Sequence, residues 1–182
     1  MENQQQKKII VIYTSYRRGN SECLGDAFSR GAEAAGQHVE KIYLRDYKIQ
    51  YCTGCEACEK TGRCALNDDA EELVCKMVQA DVLVLALPVY FGNIPGQLKT
   101  LFDRMNPVFR QPYRFRKVVV LATADQDRPE MFDGVRQSVE SWLFAFPKAS
   151  LTEMISVGGV NRRGDIEGHP AVARTEALGH GV

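Results

Sequence analysis

Three stretches of this chain are apolar at almost every position and rich in branched side chains: Ile9-Ile10-Val11-Ile12-Tyr13, Val82 through Leu87, and Val118-Val119-Val120-Leu121-Ala122. A strand with one wet face alternates apolar and polar residues, so a run without alternation predicts a strand covered on both faces. Such strands are parallel, and parallel neighbours need crossover connections, usually helices. The intervening segments supply them. Leu24, Ala27, Phe28 and Gly31 recur at helical spacing after Asn20 and Ser21, which have N-cap chemistry, and Gly36 ends that helix. Leu73, Val74, Met77 and Val78 follow a capping Asp68 or Asp69, and Leu98, Leu101, Phe102 and Met105 follow Pro95. Val135, Val139, Trp142, Leu143 and Phe146 carry the same period. His38 to Leu44 reads as a strand nearer an edge, Leu151 to Val157 as a fifth strand, and His169-Pro170 as the start of a short last helix closed by Gly179. The expected fold is α/β, a doubly wound five-stranded parallel sheet in the order 2-1-3-4-5, built as a single domain over residues 1–182.

Charge narrows the function classes. Lysine plus arginine and aspartate plus glutamate both number 23, so the net charge is zero. A nucleic-acid binder needs a basic stripe to displace counterions, and none is visible beyond Arg17-Arg18 and the short run from Arg110 to Lys117. The polar start MENQQQKK lacks the apolar region of an export signal, and the longest apolar run, Val82 to Val89, is too short to cross a bilayer. No nucleic-acid or membrane partner is expected, and the expected location is cytoplasmic. In that reducing compartment structural disulfides are rare.

Ligands of doubly wound sheets bind beyond the carboxyl ends of the strands, where the strand order reverses. Here that point lies between the first and third strands. The first strand leads into Thr14-Ser15-Tyr16-Arg17-Arg18-Gly19-Asn20-Ser21, which offers hydroxyls, a guanidinium and a glycine before a helix N-terminus. Unpaired N–H groups and the helix dipole suit one phosphate there. The dinucleotide spacing Gly-x-Gly-x-x-Gly is missing. The same residues also suit an ordinary polar turn with a good cap. After the third strand, Pro88-Val89-Tyr90-Phe91-Gly92-Asn93-Ile94-Pro95 places two aromatics beside a glycine. These rings either cover a flat heterocycle or plug the core under the next helix.

Residues 46–67 form a cysteine-rich insertion with no regular pattern. Four of the six cysteines fall within thirteen residues, as Cys52-x2-Cys55-x2-Cys58-x5-Cys64. Three close thiols and one more distant suit the ligand run of an iron–sulfur cubane. A zinc site, or a loop of reduced thiols holding nothing, fits the same residues. Cys75 and Cys23 read as structural, and His169 as a capping residue.

In combination, the Ser15-x-Arg17-x-Gly-Asn20-Ser21 loop, the Pro88-Val-Tyr-Phe-Gly-Asn-Ile-Pro-Gly-x-Leu-Lys segment and Phe102-Asp103-Arg104 resemble the NADPH-dependent FMN reductase superfamily. Within it, the cysteine motif and Gly159-Val-Asn-x-x-Gly-Asp-Ile-x-x-His-Pro are similar to the iron–sulfur flavoproteins. The resemblance implies a flavodoxin-like fold with FMN as resident cofactor. Ser15, Arg17, Asn20 and Ser21 would hold its phosphate, and Pro88, Val89, Tyr90, Phe91, Gly92, Asn93 and Ile94 would line the isoalloxazine ring. Thr123 and Ala124 would approach from the other side, although Ala124-Asp125-Gln126-Asp127 replaces the family's glycine-rich turn. Cys52, Cys55, Cys58 and Cys64 would ligate a [4Fe–4S] cluster. The implied activity is FMN-dependent oxidoreduction, with NAD(P)H as transient co-substrate and a quinone, flavin or other small molecule as electron acceptor. Two alternatives stay open: relay of single electrons from a ferredoxin-like donor through the cluster to FMN, and a non-enzymatic electron carrier or redox sensor. No catalytic side chain is expected, because the flavin itself accepts the electrons. A homodimer or homotetramer is implied as well.

Overall fold

The computed structural model describes residues 6–182; residues 1–5 of the polar start lie outside the described residues. Its elements run β1 (Lys8–Tyr13), α1 (Asn20–Ala34), β2 (His38–Tyr43), α2 (Ala57–Thr61), α3 (Ala70–Gln79), β3 (Val82–Pro88), α4 (Gly96–Asp103), β4 (Lys117–Thr123), α5 (Asp133–Leu143), β5 (Ser150–Val157) and α6 (Pro170–His180). The five strands form one parallel sheet in the order β2-β1-β3-β4-β5, as expected.

The unalternating apolar runs are explained by what covers each face. Ile10, Ile12, Leu83, Leu85, Leu87, Val118 and Val120 pack with residues of α3, α4 and α5. Ile9, Val11, Tyr13, Val82, Val84, Ala86, Val119 and Leu121 pack with residues of α1 and α6. Successive residues of one strand thus enter two different cores. The edge strands differ: β2 is only half-buried, and β5 leaves Ser150, Thr152, Glu153 and Ser156 exposed.

Several expectations change in detail. The 46–67 segment is not wholly irregular, because Ala57–Thr61 forms one helical turn between Glu56 and Gly62, both in left-handed conformation. Cys75 stands on the exposed side of α3 and packs in no core. Gly179 does not close the last helix; it lies inside α6 and meets α1. A Cβ at Gly31 would overlap the Glu176 carbonyl oxygen, and one at Gly179 would overlap that of Phe28. Two glycines thus let the backbones of α1 and α6 touch. His169 does cap α6, accepting from the Ala171 N–H at Nδ1 (3.1 Å). No helix among the described residues is long and apolar enough to cross a membrane.

Gly31→Ala is expected to cost about 1–3 kcal/mol, as overpacking against backbone does. Gly96→Ala, at the open first turn of α4, should leave the denaturant midpoint unchanged or slightly raised. Equilibrium unfolding in urea compares the two.

Candidate functional site

The carboxyl edge of the sheet is tied together by hydrogen bonds that continue past the strands. Thr14 donates its N–H to Ala86 O (3.0 Å), Val89 to Thr123 O (2.8 Å), Ala124 to Val157 O (2.9 Å) and Val160 to Ala124 O (3.0 Å). Gly158 is needed in this stack, because a Cβ there would lie 2.5 Å from Asp127 Cα. The four loops enclose a cleft of about 470 Å³.

One end of the cleft is polar. Ser15, Arg17, Arg18, Gly19, Asn20 and Ser21 line it. The N-cap of α1 is Gly19, not the expected Asn20 or Ser21, and no side chain caps the helix. Among the described residues, the N–H groups of Asn20, Ser21 and Glu22 therefore have no intrahelical or capping partner, and they present a nest for an anion. The Asn20 side chain is engaged elsewhere. Its amide donates to Arg162 O (3.0 Å), and its Oδ1 accepts from Ile166 N–H (3.4 Å). It fastens the loop after β5 over the phosphate loop. Arg45 secures the same loop from outside, donating to Ser15 O (3.2 Å) and pairing with Glu22 at 2.9 Å. The Glu22 partner holds the Arg45 guanidinium charged against the cost of burial.

The other end is apolar. Pro88, Val89, Tyr90 and Phe91 line it, with Met131 and Val160, and Thr123 and Ala124 form the adjoining wall. Tyr90 and Asn93 exchange both backbone hydrogen bonds at 3.0 Å. The two residues between them, Phe91 and Gly92, have φ of 50° and 71°. That is a type I′ turn. Phe91 is a non-glycine residue in the left-handed region and is fully exposed, so the turn stores strain to project an aromatic ring at the cleft mouth. Gly92, Asn93 and Ile94 do not line the cleft. Gly92 O lies against Gly134 of α5, Asn93 Oδ1 accepts from Ser138 Oγ (2.7 Å), and Ile94 is buried in the core.

A second cavity, about 640 Å³, lies elsewhere on the chain and shares no lining residue with the cleft among the described residues. Cys52, Cys55, Cys58 and Cys64 all line it, together with Arg104 and Asn106. Cys52 and Cys55 are exposed, Cys58 and Cys64 half-buried. The Ala57 N–H and the Thr53 hydroxyl hold the Cys55 thiol below the ordinary thiol range. No three histidine, cysteine or acidic side chains among the described residues converge on one metal-ion position. The neck of the loop is clasped by two aspartates: Lys48 N–H donates to Asp69 (2.6 Å), and Gln50 N–H donates to Asp68 (2.8 Å). Asp69 occupies the N-cap position of α3 without a side-chain cap bond, and the Asp68 carboxylate serves the helix start by accepting from Ala70 N–H (3.1 Å). Arg104 lies beneath, forked onto Asp68 at 2.7 and 3.0 Å, donating to Gln50 O (2.8 Å) and to Cys64 Sγ (3.3 Å). Burial opposes the Asp68 charge, yet Arg104 and the two N–H donors hold its carboxyl below the usual range.

The sequence profile of NADPH-dependent FMN reductase matches residues 7–144. The chain belongs to the NADPH-dependent FMN reductase family. It is 31% identical over 173 residues to the iron–sulfur flavoprotein of Methanosarcina thermophila, covering 94% of this chain and 87% of that protein. An iron–sulfur flavoprotein of Archaeoglobus fulgidus is 37% identical over 106 residues, 58% of this chain, and the match spans only about half of that relative (48%). An NAD(P)H:quinone oxidoreductase from Methanothermobacter marburgensis superposes with a TM-score of 0.73 at 19% identity, covering 96% of this chain and 95% of that one; it shares the fold.

Arg18, from the loop expected to meet a phosphate, also lines the cleft, and so do residues that sequence pattern alone does not place there: Asp125, Gln126, Met131, Val160, Asn161 and Arg163. The one signal for Val160, Asn161 and Arg163 is the Gly159-Val-Asn stretch, where Gly159 turns the chain with φ of 71°. Asn20→Ala is expected to release that loop. Backbone amides of residues 160–166 should exchange with solvent at least about tenfold faster, at a cost of about 1–3 kcal/mol in global stability. Hydrogen-exchange mass spectrometry reads both.

Proposed function

We propose that this chain is an FMN-dependent oxidoreductase that takes electrons from NAD(P)H and passes them to a quinone, a flavin or another small acceptor. The observation that carries the reading is the two-ended cleft. An uncapped helix N-terminus and Arg17 suit a monophosphate, and an apolar, aromatic end suits a flat ring. Bound FMN supplies the hydride and electron chemistry. The protein's part is binding and orientation. Arg17 and the first-turn N–H groups of α1 hold the phosphate, while Ser15 and Ser21, both buried, offer hydroxyls. Val89 and Tyr90 support the ring. In the turn, the N–H groups of Tyr90, Asn93 and Ile94 are spent internally, so Phe91 is the cleft-lining residue there whose N–H is free for the ring's polar edge. Phe91 and Met131 exclude water from the apolar end.

A second reading is favoured by the four cysteines around one cavity. Each thiolate of a cubane binds a different iron, so its ligands ring a volume; zinc draws four sulfurs onto one point. Four cysteines on the wall of one cavity, and the names of the relatives, support a [4Fe–4S] cluster held by Cys52, Cys55, Cys58 and Cys64. Such a centre would accept single electrons from a ferredoxin-like donor.

FMN and riboflavin differ by the phosphate, which separates the two ends of the cleft. Arg17→Ala and Arg163→Ala should each weaken FMN binding by about 10- to 150-fold, as loss of a charge-assisted contact of about 1.5–3 kcal/mol requires. Riboflavin affinity should not move. Tyr90→Ala should weaken both ligands. Fluorescence quenching titrations read these constants, and equal loss of both ligands in Arg17→Ala would misplace the phosphate. Bleaching of bound FMN by NADPH without a mediator supports the first reading. Bleaching only by a reduced low-potential protein, with about four irons per chain after anaerobic reconstitution, supports the second.

A further inference from the structure

We propose that Arg104 sets the electrostatics of the four-cysteine centre, donating an N–H to the Cys64 sulfur while Asp68 offsets its charge. The inference rests on the cluster reading above, and its test keeps the two apart.

Arg104 and Asp68 are almost wholly buried, with side-chain exposures of 1% and 6%. A clasp for the loop neck needs only the bonds to Asp68 and Gln50 O. The guanidinium goes further: Nη2 donates to Cys64 Sγ as well as to Asp68, while the fork through Nη1 and Nη2 leaves Nε buried without a partner among the described residues. The bond from Nη2 to sulfur is one that the neck alone does not require. Guanidinium N–H groups bind most strongly to acceptors carrying negative charge, as a metal-bound thiolate does. Hydrogen bonds to sulfur and net charge are two of the levers that move the potential of an iron–sulfur centre. Arg104 supplies the first, and the Arg104–Asp68 pair fixes the second. Other charged groups line the cavity, among them Glu56, Glu59, Asp103 and Arg110. Those are in contact with solvent, which screens them; the Arg104 pair is not. Asn106 approaches Cys52 Sγ at 3.9 Å, too far for a strong bond.

The test is anaerobic reconstitution of the full chain with iron and sulfide, followed by an iron count and an EPR-monitored redox titration. Arg104→Gln should shift the loaded centre to lower potential by about tenfold in the oxidised-to-reduced ratio at fixed poise, which is about 59 mV for a one-electron centre. Asp68→Asn should shift it in the opposite direction, because Arg104 then keeps its charge without a counter-charge. Arg104→Lys, which retains charge but not the fork, should lie between wild type and Arg104→Gln. A purely structural clasp gives a different result: the variants lose iron together while the midpoint of the loaded fraction stays fixed. That outcome overturns the proposal, and so do shifts of the same sign in Arg104→Gln and Asp68→Asn. If Arg104→Gln does not fold, Arg104→Lys and Asp68→Asn decide it, with unmoved midpoints counting against. Wild-type protein that takes up no iron, or a single zinc, overturns the cluster reading and this proposal with it. Wild type that loads normally while both variants keep its midpoint overturns the proposal alone.

Discussion

Burial of β1, β3 and β4 on both faces governs the arrangement of everything else. A strand with two apolar faces must be sandwiched, so helices have to return the chain across the sheet between successive strands. Every strand then points the same way, and every outgoing loop emerges at one edge. With β1 between β2 and β3, the loops leaving β1 and β3 diverge toward opposite faces and open a crevice between them. The cleft lined by Ser15 on one side and Tyr90 on the other occupies that crevice. Its position is thus a consequence of hydrophobic patterning some distance away, and needs no polar residue to specify it. The contact of α1 with α6 serves the same end, since it fixes the helix whose N-terminus forms the anion nest.

Within that edge, polar groups divide between those the fold uses and those it leaves free. The N–H groups of Thr14, Val89, Ala124 and Val160 join the loops to one another. Asn20, Asn93 and Arg45 have the chemistry of ligand contacts, yet each also holds a neighbouring loop or helix: Asn20 donates to Arg162 O, Asn93 Oδ1 accepts from Ser138, and Arg45 donates to Ser15 O. Arg17, Arg18 and Arg163 line the cleft, and no ion pair engages them among the described residues. A site built this way is preorganised: the fastened residues set the loop geometry, and the free cations meet the ligand without breaking an internal pair.

This division also explains what is legible in the sequence. Sheet order and strand limits follow from runs such as Val82 to Leu87, because two-sided burial leaves a pattern in consecutive residues. The phosphate loop is legible as a loop, and Asn20 lines the cleft as expected, but its second role as a pin is hidden because a pin and a phosphate contact draw on the same side chain. Nothing local distinguishes them; the partner, Arg162, is 142 residues away. Gly179 reads as a helix stop because glycine usually ends helices. Its actual cause is the backbone of Phe28, in another element. The Ala57–Thr61 turn leaves no pattern because five residues cannot display a period. Cys75 reads as packing from its residue type, whereas Leu73, Val74 and Met77 already occupy the buried side of α3.

The cysteine loop obeys different physics from the sheet. Its four thiol residues sit on short, glycine-containing spacers, with no buried residue in Cys52–Cys58 to fix their positions. Order is imposed at the neck, where Asp68, Asp69 and Arg104 close the chain onto itself. A buried ion pair is a poor choice for stability alone, since apolar residues of similar volume commonly do as well or better. What apolar residues cannot supply is a directed N–H toward sulfur together with a nearby charge of controlled sign. Arg104 follows directly after α4, and the chain reaches α4 through the aromatic turn that lines the cleft. One short helix thus joins the segment that shapes the flavin-sized cleft to the residue that faces the thiols, which makes the neck of the insertion part of the same scaffold as the edge of the sheet.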